Sequence, residues 1–338
     1  MKKKITIYDL AEELNVSSGT VSRSLNNHPS ISKKTKERVI SKANELGYKV
    51  NKFAVNLRTQ KSNTIGVIIP KLNSYFMSTL LAGVEKVANE AGYNLIISQS
   101  LESMEKEIMN AKTLYNSGVD ALLVSLAYNT ENYIHFNPYI KSKIPLMFMD
   151  RVHDSPNCPT IVIDNFQAGY DATNHLIEQG CKNILIITGD LKRNVYTDRL
   201  LGYKKALEDY NLNFEDLNVF ETTMDSKKAK DVVDYIKDLN KSVDGLFVLS
   251  DTFAAHCMQK LKTEGYSVPN DIKVIGFNND PISELVTPTL STIEYPGYNM
   301  GLLAGESIIN QIKGNINLQE TTSISLRHKL IVRESSVN

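Results

Sequence analysis

Short apolar runs in this chain end on polar side chains. Asn73 follows Ile65–Pro70, Ser125 follows Ala121–Val124, and Asp150 with Arg151 follows Met149. Further on, Asp164 and Asn165 follow Ile163, Ser250 and Asp251 follow Leu249, and Asn278, Asn279 and Asp280 follow Phe277. Carboxylates, amides and hydroxyls gathered in this way suit a small ligand with neighbouring hydroxyl groups, and Tyr75, Phe76 or Met77 is available as an apolar wall. Catalysis is not indicated. The sequence has no GxxxxGK loop, no HExxH helix and no GxSxG elbow, and its 6 His have no metal spacing. Cys158, Cys181 and Cys257 lie far apart without a CxxC pair, so they read as buried reduced thiols. No metal and no cofactor is expected.

A second set of residues lies near the N-terminus. Ile7, Leu10, Ala11 and Leu14 recur at helical spacing, with Thr6 and Asp9 as a capping pair. A short helix starts at Ser17 or Ser18 and turns Val21 and Leu25 inward, before the turn Asn26-Asn27-His28-Pro29. A third helix after Ser32 buries Val39, Ile40, Ala43 and Leu46 and stops at Gly47. Three short helices therefore share a small core. Ser18, Gly19, Ser22 and Arg23 fall on the exposed side of the second helix. Laid in a major groove, that helix brings Arg23 to guanine O6 and N7, a pair worth about 1–3 kcal/mol of discrimination. The plainer readings are Arg23 on a phosphate and Ser18 as a cap.

The formal net charge is zero, with 38 basic and 38 acidic side chains, which by itself argues against a nucleic-acid partner. The distribution says otherwise. Residues 1–61 hold 13 Lys and Arg against 5 Asp and Glu, a net +8, and the remainder holds 25 against 33, a net −8. A basic head on an acidic body places phosphate contacts at the head. Lys2, Lys3, Lys4, Lys33, Lys34 and Lys36 read as phosphate neighbours or solvated charge.

From Thr64 onward the apolar runs alternate with helical segments: Ile65–Ile69, Leu95–Ile97, Ala121–Val124, Pro145–Met149, Ile161–Ile163, Ile184–Ile187, Leu246–Leu249 and Val274–Phe277. This alternation makes βαβ units and parallel sheets. The expected fold is an all-α helix-turn-helix head plus an α/β body of two lobes, and ligands bind such sheets beyond the carboxyl ends of the strands. We expect a head at 1–49, a joint at 50–61 and a body at 62–338, with one lobe at about 62–161 and 291–319 and the other at about 162–290 and 320–338. The Lys-rich start is interrupted by Asp9, Glu12 and Glu13, unlike a signal peptide, and no apolar run approaches the ~18 residues that span a bilayer. A cytoplasmic protein is expected.

The segment Ile7 to Asn26, with its Val16-Ser17-Ser18-Gly19-Thr20-Val21-Ser22-Arg23-Ser24-Leu25-Asn26, closely resembles the head of the lactose/galactose repressor family. The resemblance continues through Ile31–Val39 and Glu45–Tyr48. It runs into the body at Gly83-Val84-Glu85, Asp150-Arg151, Asp164-Asn165, Arg199-Leu200-Leu201-Gly202-Tyr203, Val268–Ile272 and Gly276-Phe277. It implies a DNA-binding regulator, a repressor, with a two-lobed periplasmic-binding-protein-like sensor. It further implies a palindromic double-stranded operator, a carbohydrate effector and a homodimer. The operator-contacting residues implied are Thr6, Ser17, Ser18, Gly19, Thr20, Ser22, Arg23, Asn26, Leu57 and Arg58, with Leu57 as a wedge in the minor groove. The unstacking cost of a few kcal/mol is offset by contact with the bent duplex. The effector contacts implied are Phe76, Ser125, Asp150, Arg199, Ser250 and Asn278, where Ser250 stands for a common Asn and Asn278 for a common Asp. Family tetramers carry an extra C-terminal helix, and this sequence ends soon after Glu334, which favours a dimer. The alternative reading is a solute-binding protein without a DNA function. A sugar-modifying enzyme lacks a catalytic constellation.

Overall fold

A computed structural model describes residues 5–48, 61–153, 158–239, 242–320 and 322–337. Two units separate, Met1–Ser62 and Asn63–Asn338. The expected wedge residues Leu57 and Arg58, and the joint up to residue 60, lie outside the described residues.

In the first unit, helices span Ile7–Glu13, Ser18–Leu25 and Lys33–Glu45. Each begins on a hydroxyl: Thr6 accepts from the Asp9 amide, Ser17 from Thr20 and Ser32 from Thr35. Such caps stabilise by about 1 kcal/mol apiece. Asn15 and Asn27 take left-handed backbone at φ 52° and 53°, which Asn tolerates better than most residues and which ends the first two helices sharply. Leu10, Ala11, Leu14, Val21, Val39 and Ala43 form the core. Ile40, expected inside, is 46% exposed. Val39, Ala43 and Leu46 recur at i, i+4 and i+7, and Ile40 sits about 100° around the helix from that stripe.

In the second unit, the first sheet contains β1 (Thr64–Ile69), β2 (Asn94–Gln99), β3 (Ala121–Val124), β4 (Leu146–Met149), β5 (Thr160–Ile163) and β11 (Ser323–Leu326). The second contains β6 (Ile184–Thr188), β7 (Val219–Glu221), β8 (Gly245–Val248), β9 (Lys273–Asn278), β10 (Ser291–Glu294) and β12 (Lys329–Ile331). Their orders are β11-β5-β4-β3-β1-β2 and β12-β10-β9-β8-β6-β7, and only β12 against β10 is antiparallel. The central strands are buried along their length, as parallel strands with helices on both faces must be. The strand order reverses between β1 and β3 and again between β6 and β8. These are the two switch points at which the loops after neighbouring strands part and leave a crevice.

The short strands β7, β10, β11 and β12 were not expected, and they move two crossings. β10 pairs with β9, so the chain stays in the second lobe past 291 and leaves it after Glu294. β11 pairs with β5, so the final crossing falls between Leu326 and Lys329 and not at 320. In both cases a ladder to the lobe just built continues for one more strand before the chain turns away.

Helix Asn165–Glu178 packs on helix Asn194–Asp209 almost backbone to backbone. A Cβ on Gly202 would stand 1.9 Å from the Phe166 carbonyl oxygen, and one on Gly169 2.1 Å from that of Arg199. This contact sets Arg199 beside Asn165. Gly202→Ala is therefore expected to cost about 1–3 kcal/mol by overpacking, seen as a lower urea midpoint for the second unit. An unchanged midpoint would show that the helices can separate freely.

Candidate ligand cleft and DNA-reading surface

A cleft of about 290 Å³ opens where the switch points of the two lobes face one another. The first lobe supplies Pro70–Met77 after β1, Tyr128 after β3, and Asp150 and Arg151 after β4. The second supplies Val195, Tyr196 and Arg199 after β6, Ser250 and Thr252 after β8, and Asn278 and Asp280 after β9. A larger surface depression of about 450 Å³, lined by Leu302, Leu303, Glu306 and Arg327 among others, lies on helix Gly297–Lys313. Its charged residues are exposed and converge on nothing. Convergence, more than size, marks the first cleft as the site.

Arg199 is the cation of the cleft. It is 3% exposed, its Nε donates to Asn165 Oδ1 at 2.9 Å, and its guanidinium carbon lies 3.6 Å from the centre of the Phe277 ring. No carboxylate forms an ion pair with it among the described residues. Burial accordingly lowers its pKa. Asp150 lies near by and takes hydroxyl donors on both oxygens, Ser125 at 3.2 Å and Tyr295 at 2.7 Å. Burial, and then the Asp150 carboxylate, push the Tyr295 hydroxyl far above its ordinary value, so it remains a donor. The Tyr295 ring stacks on Phe76 at 4.1 Å. Asp150, Asn278 and Asn279 hold φ of 61°, 112° and 58°, a strain on the order of 1–3 kcal/mol each that aims these side chains.

Phe76, Asp150, Arg199, Ser250 and Asn278, expected from the sequence, all line the cleft. Ser125 does not. It is fully buried behind Asp150 and orients that carboxylate. The Ser250 hydroxyl accepts from the Phe253 amide and caps helix Asp251–Thr263. Asp164 caps helix Asn165–Glu178, whereas Asp251 does not cap, because Ser250 already holds that position. Arg151 pairs with Glu102 at 2.8 Å and lies over the Tyr128 ring.

Sequence reasoning missed the contacts that join the lobes. Tyr128 and Tyr196 share a hydrogen bond of 2.8 Å, Arg193 donates to the Thr130 carbonyl, and Asn194 both donates to the Asp150 carbonyl and accepts from the Val152 amide. All reach from the start of one helix to loops some 40–70 residues earlier in the chain, so no local pattern betrays them. Glu107, fully buried, accepts from the Ala127 amide, from Thr130 and from His135, and so holds that loop in place.

On the first unit, Gly19, Arg23 and Asn26 are exposed and Ser18, Thr20 and Ser22 half-buried along one helix. Arg23 Nε donates to the Gly19 carbonyl, and a Cβ on Gly19 would meet nothing closer than 3.7 Å. Packing therefore does not require glycine there. Thr6 and Ser17 are exposed, and both are spent on caps. No described helix is long and apolar enough to cross a membrane.

A basic helix-turn-helix head joined to a two-lobed binding body defines a DNA-binding transcription regulator, not an enzyme. Residues 6–51 match the lacI family of bacterial regulatory proteins, and residues 173–336 match a periplasmic binding protein-like domain. The NTD biosynthesis operon regulator NtdR of Bacillus subtilis is 34% identical, over 98% of this chain and 99% of its own. The fold superposes on the lac repressor dimer bound to operator and an anti-inducer with a TM-score of 0.88, at 22% identity over 99% of this chain and 100% of that one. A LacI-type regulator from Alkaliphilus metalliredigens complexed with D-xylulofuranose is 28% identical over 82% of this chain and 100% of its own, with a TM-score of 0.70. The chain belongs to the lacI family of bacterial regulatory proteins.

Burial pushes the Asp251 carboxyl up to about 7 and the Asp280 carboxyl up to about 6. Raised folded-state values mean that the native protein keeps protons which the unfolded chain releases from about pH 4. Stability should therefore fall as pH rises from about 4 to 7. Urea midpoints of Asp280→Asn should show a shallower fall than the parent. An identical slope would mean that this carboxyl is not held away from water.

Proposed function

We propose that the chain is a homodimeric repressor that reads a palindromic operator through its paired heads and is controlled by a small carbohydrate-like effector in the cleft. The observation that carries the effector reading is Arg199, a buried guanidinium that forms no ion pair among the described residues, in a cleft walled by Phe76 and Tyr295. A buried cation of this kind is completed by ligand oxygens gripped two at a time. Asp150 and Asn278 offer acceptors and donors for hydroxyls, and the stacked aromatic pair offers a flat apolar face. The xylulofuranose-bound relative supports a sugar-sized ligand for this fold.

The basic charge of the head and the outward face made by Ser18, Gly19, Ser22 and Arg23 support operator reading, with Thr20 and Asn26 flanking them. Thr6 and Ser17 then act through their helix N-termini against phosphate. Leu57 and Arg58 keep their proposed role as minor-groove wedge and flanking cation. A dimer is supported by the outer strand β2, where Ile96 and Ile97 are each 41% exposed beside exposed Leu101, Ile108 and Met109. An apolar edge of this sort is ordinarily covered. Such a regulator works at DNA in the cytoplasm.

Duplexes selected from a random pool should lose roughly tenfold or more of their preference over scrambled DNA with Arg23→Ala. A retained preference would take Arg23 out of base reading. Thermal-shift screening against sugars should find a stabilising ligand, and Arg199→Ala should weaken it by roughly 10- to 100-fold in calorimetry. Unchanged affinity would remove Arg199 from the site.

A further inference from the structure

The second-lobe wall of the cleft carries a carboxylate that forms no ion pair among the described residues. Asp280 is 7% exposed and lines the cleft next to Ser250, Thr252 and Asn278. Its Oδ1 is buried and receives no hydrogen bond, and its Oδ2 receives the Thr252 hydroxyl only at 3.4 Å. Behind it stands a second carboxylate, Asp251, fully buried, which accepts from Thr292 at 2.6 Å and from the Asp280 amide at 2.7 Å. Among the described residues no cation forms an ion pair with it. Arg333 donates to Asn279, Glu284, Ser283 and the Leu290 carbonyl, Arg151 to Glu102, and Arg199 to Asn165. The Asp225 carboxylate at the cleft rim adds a further negative charge.

The contrast with Asp150 is informative. Asp150 has a hydroxyl on each oxygen and needs no further donor, whereas Asp280 has no donor on Oδ1, only the Thr252 hydroxyl at 3.4 Å on Oδ2, and no ion pair among the described residues. A buried acceptor left unmade costs free energy, and a buried charge left unpaired costs more. A ligand hydroxyl supplies the donor alone. A ligand ammonium supplies donor and charge together, in the stronger class of hydrogen bond.

We propose that Asp280 receives a protonated amine of the effector, so that the cleft selects an amino-bearing polyol, such as an amino sugar, over its neutral counterpart. This inference rests on the cleft being the effector site. Arg199 and Asp150 then hold the hydroxyl-bearing part of the ligand and Asp280 its amine.

The test uses the full chain and matched pairs of probes, pentoses and hexoses each set beside its amino-deoxy derivative, titrated by calorimetry near pH 7.5. At least one amino sugar is expected to bind about tenfold or more tightly than its hydroxyl twin, a difference of about 1.4 kcal/mol. Asp280→Asn, which keeps the shape and removes the charge, should bring the pair level. The preference should also fade as pH falls through about 6, where the carboxyl takes up a proton. No amine preference in any pair, no binding by any amino sugar, or a preference that survives Asp280→Asn overturns the inference. Neutral sugars that bind in an Arg199-dependent way without an amine preference would remove the amine alone and leave the cleft standing. Binding that ignores Arg199→Ala would remove the cleft itself.

Discussion

A guanidinium buried without an ion-pair partner is expensive, and much of the body is arranged to hold one. Removing a charge from water costs several kcal/mol unless other groups replace the solvent. Around Arg199 the replacements are a neutral amide, Asn165, and the face of Phe277. Neither neutralises the charge, so the group keeps its attraction for an incoming ligand. A carboxylate in the place of Asn165 would have satisfied the arginine and closed the site to ligand oxygens. The glycine contacts between the two second-lobe helices serve the same end, because they fix the Arg199 backbone against the helix that carries Asn165.

The two lobes share a topology, and that repetition explains why the cleft is lined as it is. Each sheet reverses its strand order once, and the loops that flank each reversal supply most of the lining. Since both sheets present carboxyl strand ends, each contributes polar turns and helix starts, and none of the lining requires a long insertion. The lobes are held at their present spacing by a few hydrogen bonds from Arg193, Asn194 and Tyr196, all within one helical turn. Three or four such bonds are worth a few kcal/mol net. That is the scale at which a ligand bridging Arg199 and the opposite wall can compete or reinforce.

The long central strands and the three head helices were legible in the sequence because their apolar periodicity is uninterrupted and their caps are local. β7, β11 and β12 were not, since strands of three or four residues at a sheet edge bury too little to leave a pattern, and β10 was not because two of its three buried residues, Ser291 and Thr292, are polar. The lobe crossings at Glu294 and Leu326 moved for that reason. In the cleft, residues at strand ends were recoverable by type, yet type does not say which way a side chain is spent. Ser125 points behind Asp150, Ser250 caps a helix, and Asp251 is sealed in the interior. Asp280, one of three polar residues that follow Phe277 in the sequence, stands in the wall of the cleft.

These displacements bear on where specificity resides. Ser250 and Asn278 depart from the residues common in the family, and Ser250 is further occupied by the Phe253 amide. Its hydroxyl can still donate, but one of its two lone pairs is taken. Asn278, at φ 112°, is held in a backbone that few side chains adopt, so its amide is aimed at a cost which a merely structural turn would have avoided. Two residues further on, Asp280 presents the acceptor capacity and negative charge that a carboxylate at 278 would have supplied. The Asp280 carboxylate lies deep in the loop, with the residue's own amide on Asp251 and the Thr252 hydroxyl only at 3.4 Å. A buried carboxylate with one oxygen unmet selects among the ligands that can complete it, whereas Asp150, met on both oxygens, does not.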